Sequence, residues 1–192
     1  MKAATLLLIA FATTLLSGCN GVSLSEVDLN KEIATRLSEH QPDQIRLTME
    51  DKTLDLVLLV QSATVDLSSD FGGIVKIDLK TDIQGKIAAF GRTLTMTTEL
   101  IPKLESGVRL EEDRVYLVAP KLTEVTVQGT NFSDQILRST LGSVHDELEQ
   151  AIARYFDKHP VYTLDHNATE KLAATLVDEI QVTDDAIEFA MF

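Results

Sequence analysis

The chain has a single cysteine, Cys19, in 192 residues. One thiol excludes an intramolecular disulfide, so the core alone must hold the fold. Basic residues are also scarce, with 17 Lys and Arg against 30 Asp and Glu and a formal net charge of −13. Such a balance argues against nucleic acid, whose phosphates select basic surfaces. It disfavours broad electrostatic adsorption to anionic lipid heads as well. No HExxH and no G-x-S-x-G occurs, and His40, His145, His159 and His166 show no metal-ligand spacing. Ser143, His145 and Asp146 lie close in sequence, but neighbours one or two apart on a helix do not face each other. "DFGG" (70–73) is followed by a strand pattern and reads as a turn. "NFS" and "NAT" read as turn and cap chemistry. These absences predict no enzyme, no metal and no cofactor.

What is present begins with "MKAATLLLIAFATTLLSGCN". Lys2 supplies a positive start, and the apolar run from Leu6 to Leu16 follows it. A bilayer-spanning helix needs about 20 apolar residues, so this run has the form of an export signal instead. "LSGC" (16–19) resembles the lipobox of bacterial lipoproteins. That resemblance implies a diacylglyceryl group on the Cys19 sulfur and removal of residues 1–18 as a signal peptide. The plainer alternative is an ordinary signal peptide with a chance cysteine. Acyl chains contribute about 0.8 kcal/mol per buried CH₂, so two or three anchor a protein without spanning the bilayer. Asn20 is not the Asp that retains such lipoproteins in the inner membrane. The expected location is the periplasmic face of the outer membrane, with a lipidated tether over 19–24 and one domain over 25–192.

Within that domain, 24–40 is expected to be a helix, capped by Ser25 with Asp28 three residues on. Leu29, Ile33 and Leu37 form its apolar stripe. Strands are expected at 45–50 and 53–68. The clearest is 75–87, where Val75, Ile77, Leu79, Ile83 and Ile87 alternate with charged and polar residues. Period 2 gives that strand one dry and one wet face. Further strands are expected at 93–100, 106–118 (a hairpin with "EED" at its tip) and 121–129. The period then changes. Leu137, Leu141, Val144, Leu148, Ala151 and Tyr155 make one stripe on a long helix over 132–160, which Pro160 ends. A short strand (161–164), a helix capped by Asn167 (168–179) and a terminal hairpin (180–192) complete the chain. No internal repeat, low-complexity segment or interior linker interrupts it.

"YFDKHPVYTL" (155–164) resembles a stretch of the YceB-like family of uncharacterised bacterial lipoproteins. "VSLSEVDLNKEIATRL", "GKIAAFGRTLTMTTELIPKLESGVRLEEDRVYL" and "EIQVTDDAIEFAMF" extend the resemblance over most of the chain. The family's fold is similar to the tubular lipid-binding domains, the group containing bactericidal/permeability-increasing protein. That implies a curved antiparallel sheet wrapped around a long helix, with an apolar groove between them. The resemblance carries no catalytic residues.

The expected fold class is therefore α+β: a long curved antiparallel sheet packed around one long amphipathic helix, with shorter N- and C-terminal helices. Two readings of the apolar stripes stay open. In one, Leu137, Leu141, Val144 and Leu148 of the helix and Ile77 and Leu79 of the sheet line a groove for a lipid or other apolar ligand. The protein is then a membrane-anchored binding module. In the other, the same residues are filled core, and the protein is a structural or protein-interaction lipoprotein.

Overall fold

The computed structural model describes residues 21–39, 43–48, 54–89 and 91–191. In chain order the elements are β1 (Gly21–Ser25), α1 (Glu26–Glu39), β2 (Gln44–Thr48), β3 (Leu54–Ser68), β4 (Ile74–Ala89), β5 (Arg92–Glu111), β6 (Arg114–Val127), α2 (Phe132–Phe156), β7 (Tyr162–Thr163), α3 (Ala168–Leu176), β8 (Val177–Val182) and β9 (Ala186–Met191). Strands β2 to β7 form a six-stranded antiparallel sheet in sequence order. The remaining three form a second sheet, ordered β1-β9-β8. The class is α+β as expected, but the described residues form two sheets rather than one.

Alternation builds the large sheet. Val75, Ile77, Leu79 and Ile83 of β4 are all buried, while Lys76 and Lys80 of the other face reach Asp66 and Glu99 in exposed ion pairs. Gly85 continues the dry face opposite Leu56. A Cβ there would fall 2.8 Å from the Leu56 Cα, so only glycine allows the two strands this close an approach. Two expected strands merge into the 20-residue β5. Pro102 lies inside it, and β4–β5 pairing skips the positions opposite, where proline has no N–H to donate. On β6, Ala119 and Pro120 together face Ser106, and Ala119 takes a positive φ of 47°. A further irregularity follows at Thr123, and another lies between Val60 and Ser62 of β3. Bulges of this kind bend a strand and raise its twist, which is how a long sheet curves.

The helix α2 packs on β6, β2 and β5. Asn131 caps it: its side chain accepts from the Asp134 N–H, and Asp134 accepts in return from the Asn131 N–H. Asp134 is itself buried and takes a second bond, 2.5 Å, from the Thr98 hydroxyl, which fixes the helix start to β5. The helix ends at Phe156, one turn before the expected limit at Pro160. The terminal hairpin forms, but its first strand begins at Val177, so α3 ends at Leu176 and not at the expected 179.

Residues 21–24, expected to lie outside the domain, are part of it. Gly21–Ser25 pairs with β9, matching Val22 to Phe189 and Leu24 to Ile187. Leu24, Ile187 and Phe189 are buried together, so apolar burial draws this segment into the fold. Residues 1–18 and Cys19 lie outside the described residues.

Candidate ligand cavity

The cross-strand pairs Ala63–Leu79 and Val65–Ile77 form the floor of an apolar cavity between β3 and β4 on one side and α1 on the other. Leu29, Ile33 and Leu37 of α1 form its roof. The last turn of α2 closes one end with Tyr155 and Phe156, set edge to face at 5.2 Å. The cavity volume is about 90 Å³.

The helix α1 is held over this space at β3. Beyond the reach of β2, the outer edge of β3 has no strand partner among the described residues. Asn30 takes that place: its amide donates to the Val65 carbonyl and its oxygen accepts from the Val65 N–H, both at 2.8 Å. Glu26 accepts from the Leu67 N–H at 2.9 Å. At its start, Ser25 caps α1 by accepting from the Asp28 N–H.

Polar groups gather at one end of the cavity, among the last turns of α1 and α2. Arg36 donates to the Pro160 carbonyl at 3.2 Å. Burial, followed by the neighbouring Asp43 carboxylate, pushes the Tyr155 hydroxyl pKa well up. His159 stacks on the Tyr155 ring at 4.2 Å, with Nδ1 2.7 Å from the Tyr155 carbonyl.

The predicted lining residues divide. Ile77 and Leu79 line the cavity. Leu137, Val144 and Leu148 do not; they are buried core beneath α2. Leu141 is half-buried against the same core and also lies off the cavity. The space therefore lies under α1, not under the middle of α2, because large side chains fill the latter interface. The stripe Leu29, Ile33, Leu37 was legible as an amphipathic face. Nothing in its spacing distinguishes a roof with space beneath it from a packed contact.

A second polar cluster joins α1 to α3. His166 Nδ1 lies 3.1 Å from Glu170 and Nε2 lies 3.5 Å from Glu32. Burial alone would lower the His166 pKa, but Glu170 and then Glu32 outweigh it and raise it. Tyr162 beside them is pushed up to about 12, by burial first and by Glu170, Glu32 and Asp28 after it. A raised histidine pKa stabilises the fold fully below the unfolded value of about 6.5, and that contribution disappears as pH rises through the folded value. The melting temperature of His166→Gln should thus fall below the parent's at acid pH and converge on it at alkaline pH. A constant difference across a pH series of melts would contradict the pairing. Among the described residues no group of His, Cys, Asp and Glu is arranged to hold a metal ion. No described helix is long and apolar enough to cross a membrane.

No curated protein matches the chain. A solved structure described as a crystal structure of lipopolysaccharide binding protein aligns over 89% of this chain and 40% of its own, at 12% identity and a TM-score of 0.36. This chain thus spans less than half the length of that one. Residues 24–185, from the end of β1 to the tip of the β8–β9 hairpin, match the family model described as Protein of unknown function (DUF1439), and the chain belongs to that family.

Proposed function

We propose that this is a lipid-anchored protein of the bacterial envelope, on the periplasmic face of the outer membrane, that binds one lipid or other apolar chain beneath α1. The observation that carries the binding role is the cavity, whose roof and floor are aliphatic and whose polar groups sit at one end. Ligand sites have this character, largely apolar with few polar groups. Its volume of about 90 Å³ is below the ~150 Å³ that holds a benzene ring. A chain of lipid length therefore enters by lifting α1, which a few side-chain bonds and one apolar stripe hold in place. The reading uses no catalytic residue, metal or cofactor. Native mass spectrometry of the protein purified from its own envelope tests it, with a co-purifying acyl chain as the expected result. Protein that carries no lipid and takes up no added amphiphile would refute it.

The anchor is a separate part of the proposal and rests on "LSGC" and the resemblance to YceB-like lipoproteins. Cys19→Ser should abolish incorporation of labelled palmitate and leave residues 1–18 attached. Continued labelling would sink the anchor while leaving the cavity reading intact.

One observation favours the rival, an interaction protein. Phe71, at the tip between β3 and β4, is 98% exposed and holds a φ of 53°. A bulky residue in the left-handed region without packing contacts is a reason to look for a partner. If Phe71→Ala removed the protein's effect in the envelope while lipid uptake stayed normal, the rival would be the better account.

A further inference from the structure

We infer that the outward face of α3 is a membrane contact, laid against the bilayer that holds the acyl anchor. The inference rests on Cys19 carrying that anchor and adds which side of the domain the bilayer meets. The helix packs across β1 and β9. It does so through small side chains: Ala173 is buried, and Ala174 is partly buried against the core. Its larger apolar residues point the other way. Ala168, Leu172 and Leu176 stand at i, i+4 and i+8 and are all exposed, Leu172 by 57% and Leu176 by 45%. A helix on the surface of a globular domain normally turns its large apolar side chains to the core. Here that arrangement is reversed, and two leucines on one exposed stripe mark a face that meets something apolar.

The length of chain before β1 names the partner. Gly21 is already paired with Ala190 in the second sheet. Cys19 stands only two residues earlier, a span of about 7 Å at full extension. An acyl chain on Cys19 therefore brings the Gly21 end of this sheet to the bilayer surface. The end of α3 lies at the same place. Leu176 directly precedes Val177, whose partner Met191 follows the Ala190 that faces Gly21. Phe71 and the β8–β9 tip belong to the opposite end of the sheet, where Gly73 lies against Val182 and the Ser69 N–H donates to Asp184. Charge supplies little of the contact. Lys171 beside the stripe is exposed and its ammonium can reach lipid heads, but Asp178 and Glu179, exposed at the start of β8, repel anionic ones. The partner is thus a zwitterionic lipid surface, met by leucines at the level of the head groups.

The chain has no tryptophan, so a single introduced indole reports its own surroundings. Full-length protein with Thr175→Trp, on the α3 face, or Phe71→Trp, at the far end, is expressed in a bacterial envelope, and lipid attachment is checked with labelled palmitate. The purified lipoprotein is reconstituted into phosphatidylcholine vesicles with plain or brominated acyl chains. Thr175→Trp should lose most of its fluorescence to the brominated lipid, and Phe71→Trp should keep its own. Adding Leu172→Gln and Leu176→Gln to Thr175→Trp should restore most of the lost signal, and added salt should not. All four positions are exposed, so melting curves should match the parent's. In palmitate-labelled protein, three results would each overturn the membrane face and leave the anchor standing. These are equal quenching at both reporters, no quenching at Thr175→Trp, and quenching that survives loss of both leucines. Emission at Thr175→Trp that shifts with protein concentration instead of with lipid would place a second copy of the chain there and overturn it as well. Absence of the palmitate label would overturn the anchor and, with it, this inference.

Discussion

Ala63→Leu should lose uptake of single-chain amphiphiles by tenfold or more while melting close to the parent protein. Ala63 is half-buried on the cavity floor, opposite Leu79 on β4. Its added carbons point toward the roof residues of α1 rather than into filled core. Inserting methylenes into a tightly packed interior costs about 1–3 kcal/mol through displaced neighbours and strained rotamers. Here the added group meets space, so its own burial offsets the cost at about 25 cal/mol per Å² of apolar surface removed from water. The ligand chain and the new side chain compete for the same volume, so binding takes the whole penalty. Uptake measured by native mass spectrometry and stability measured by thermal melts should move independently. A large loss of stability with binding unchanged would mean that the space is closed in solution and the ligand sits elsewhere.

How much of this was legible in the chain follows from the range of each signal. The alternation from Val75 to Ile87 is local and long, so β4 could be read directly, and so could the face on which Ile77 and Leu79 lie. Ser25 and Asn167 cap α1 and α3 where their spacing places them. The cap of α2 is spelled with Asn131 and Asp134 instead of the commoner Ser or Thr with Glu, and it was missed. Strand β1 was missed for a different reason. Five residues with only Val22 and Leu24 apolar carry no period worth reading, and their partner β9 lies at the far end of the chain. The cavity is the extreme case. It depends on which of two amphipathic helices fits its sheet less closely, and both helices present regular stripes. Leu137 and Leu148 on α2 and Ile33 and Leu37 on α1 look equivalent in sequence. Only the partners across the interface distinguish them.

That distinction predicts the opposite phenotype for Leu148→Ala. Leu148 is 1% exposed, as is Leu137 about three turns nearer the helix start, and neither borders the cavity. The helix is fixed around it: the Glu149 carboxylate accepts from the Leu122 N–H at 2.8 Å, and Arg138 donates to the Val127 and Gly129 carbonyls. With both the helix and β6 tied in place, the surroundings cannot collapse to fill the lost volume. Truncation should then cost about 2–5 kcal/mol, the transfer of the deleted carbons plus the cavity left behind. Denaturant unfolding should show the midpoint falling with little change in slope. Amphiphile uptake by the fraction still folded should equal the parent's, because β3, β4 and α1 are untouched. If Leu148→Ala instead unfolded with a loss well below 1 kcal/mol and weakened uptake, the long helix would be the wall of the binding site and α1 merely a cover.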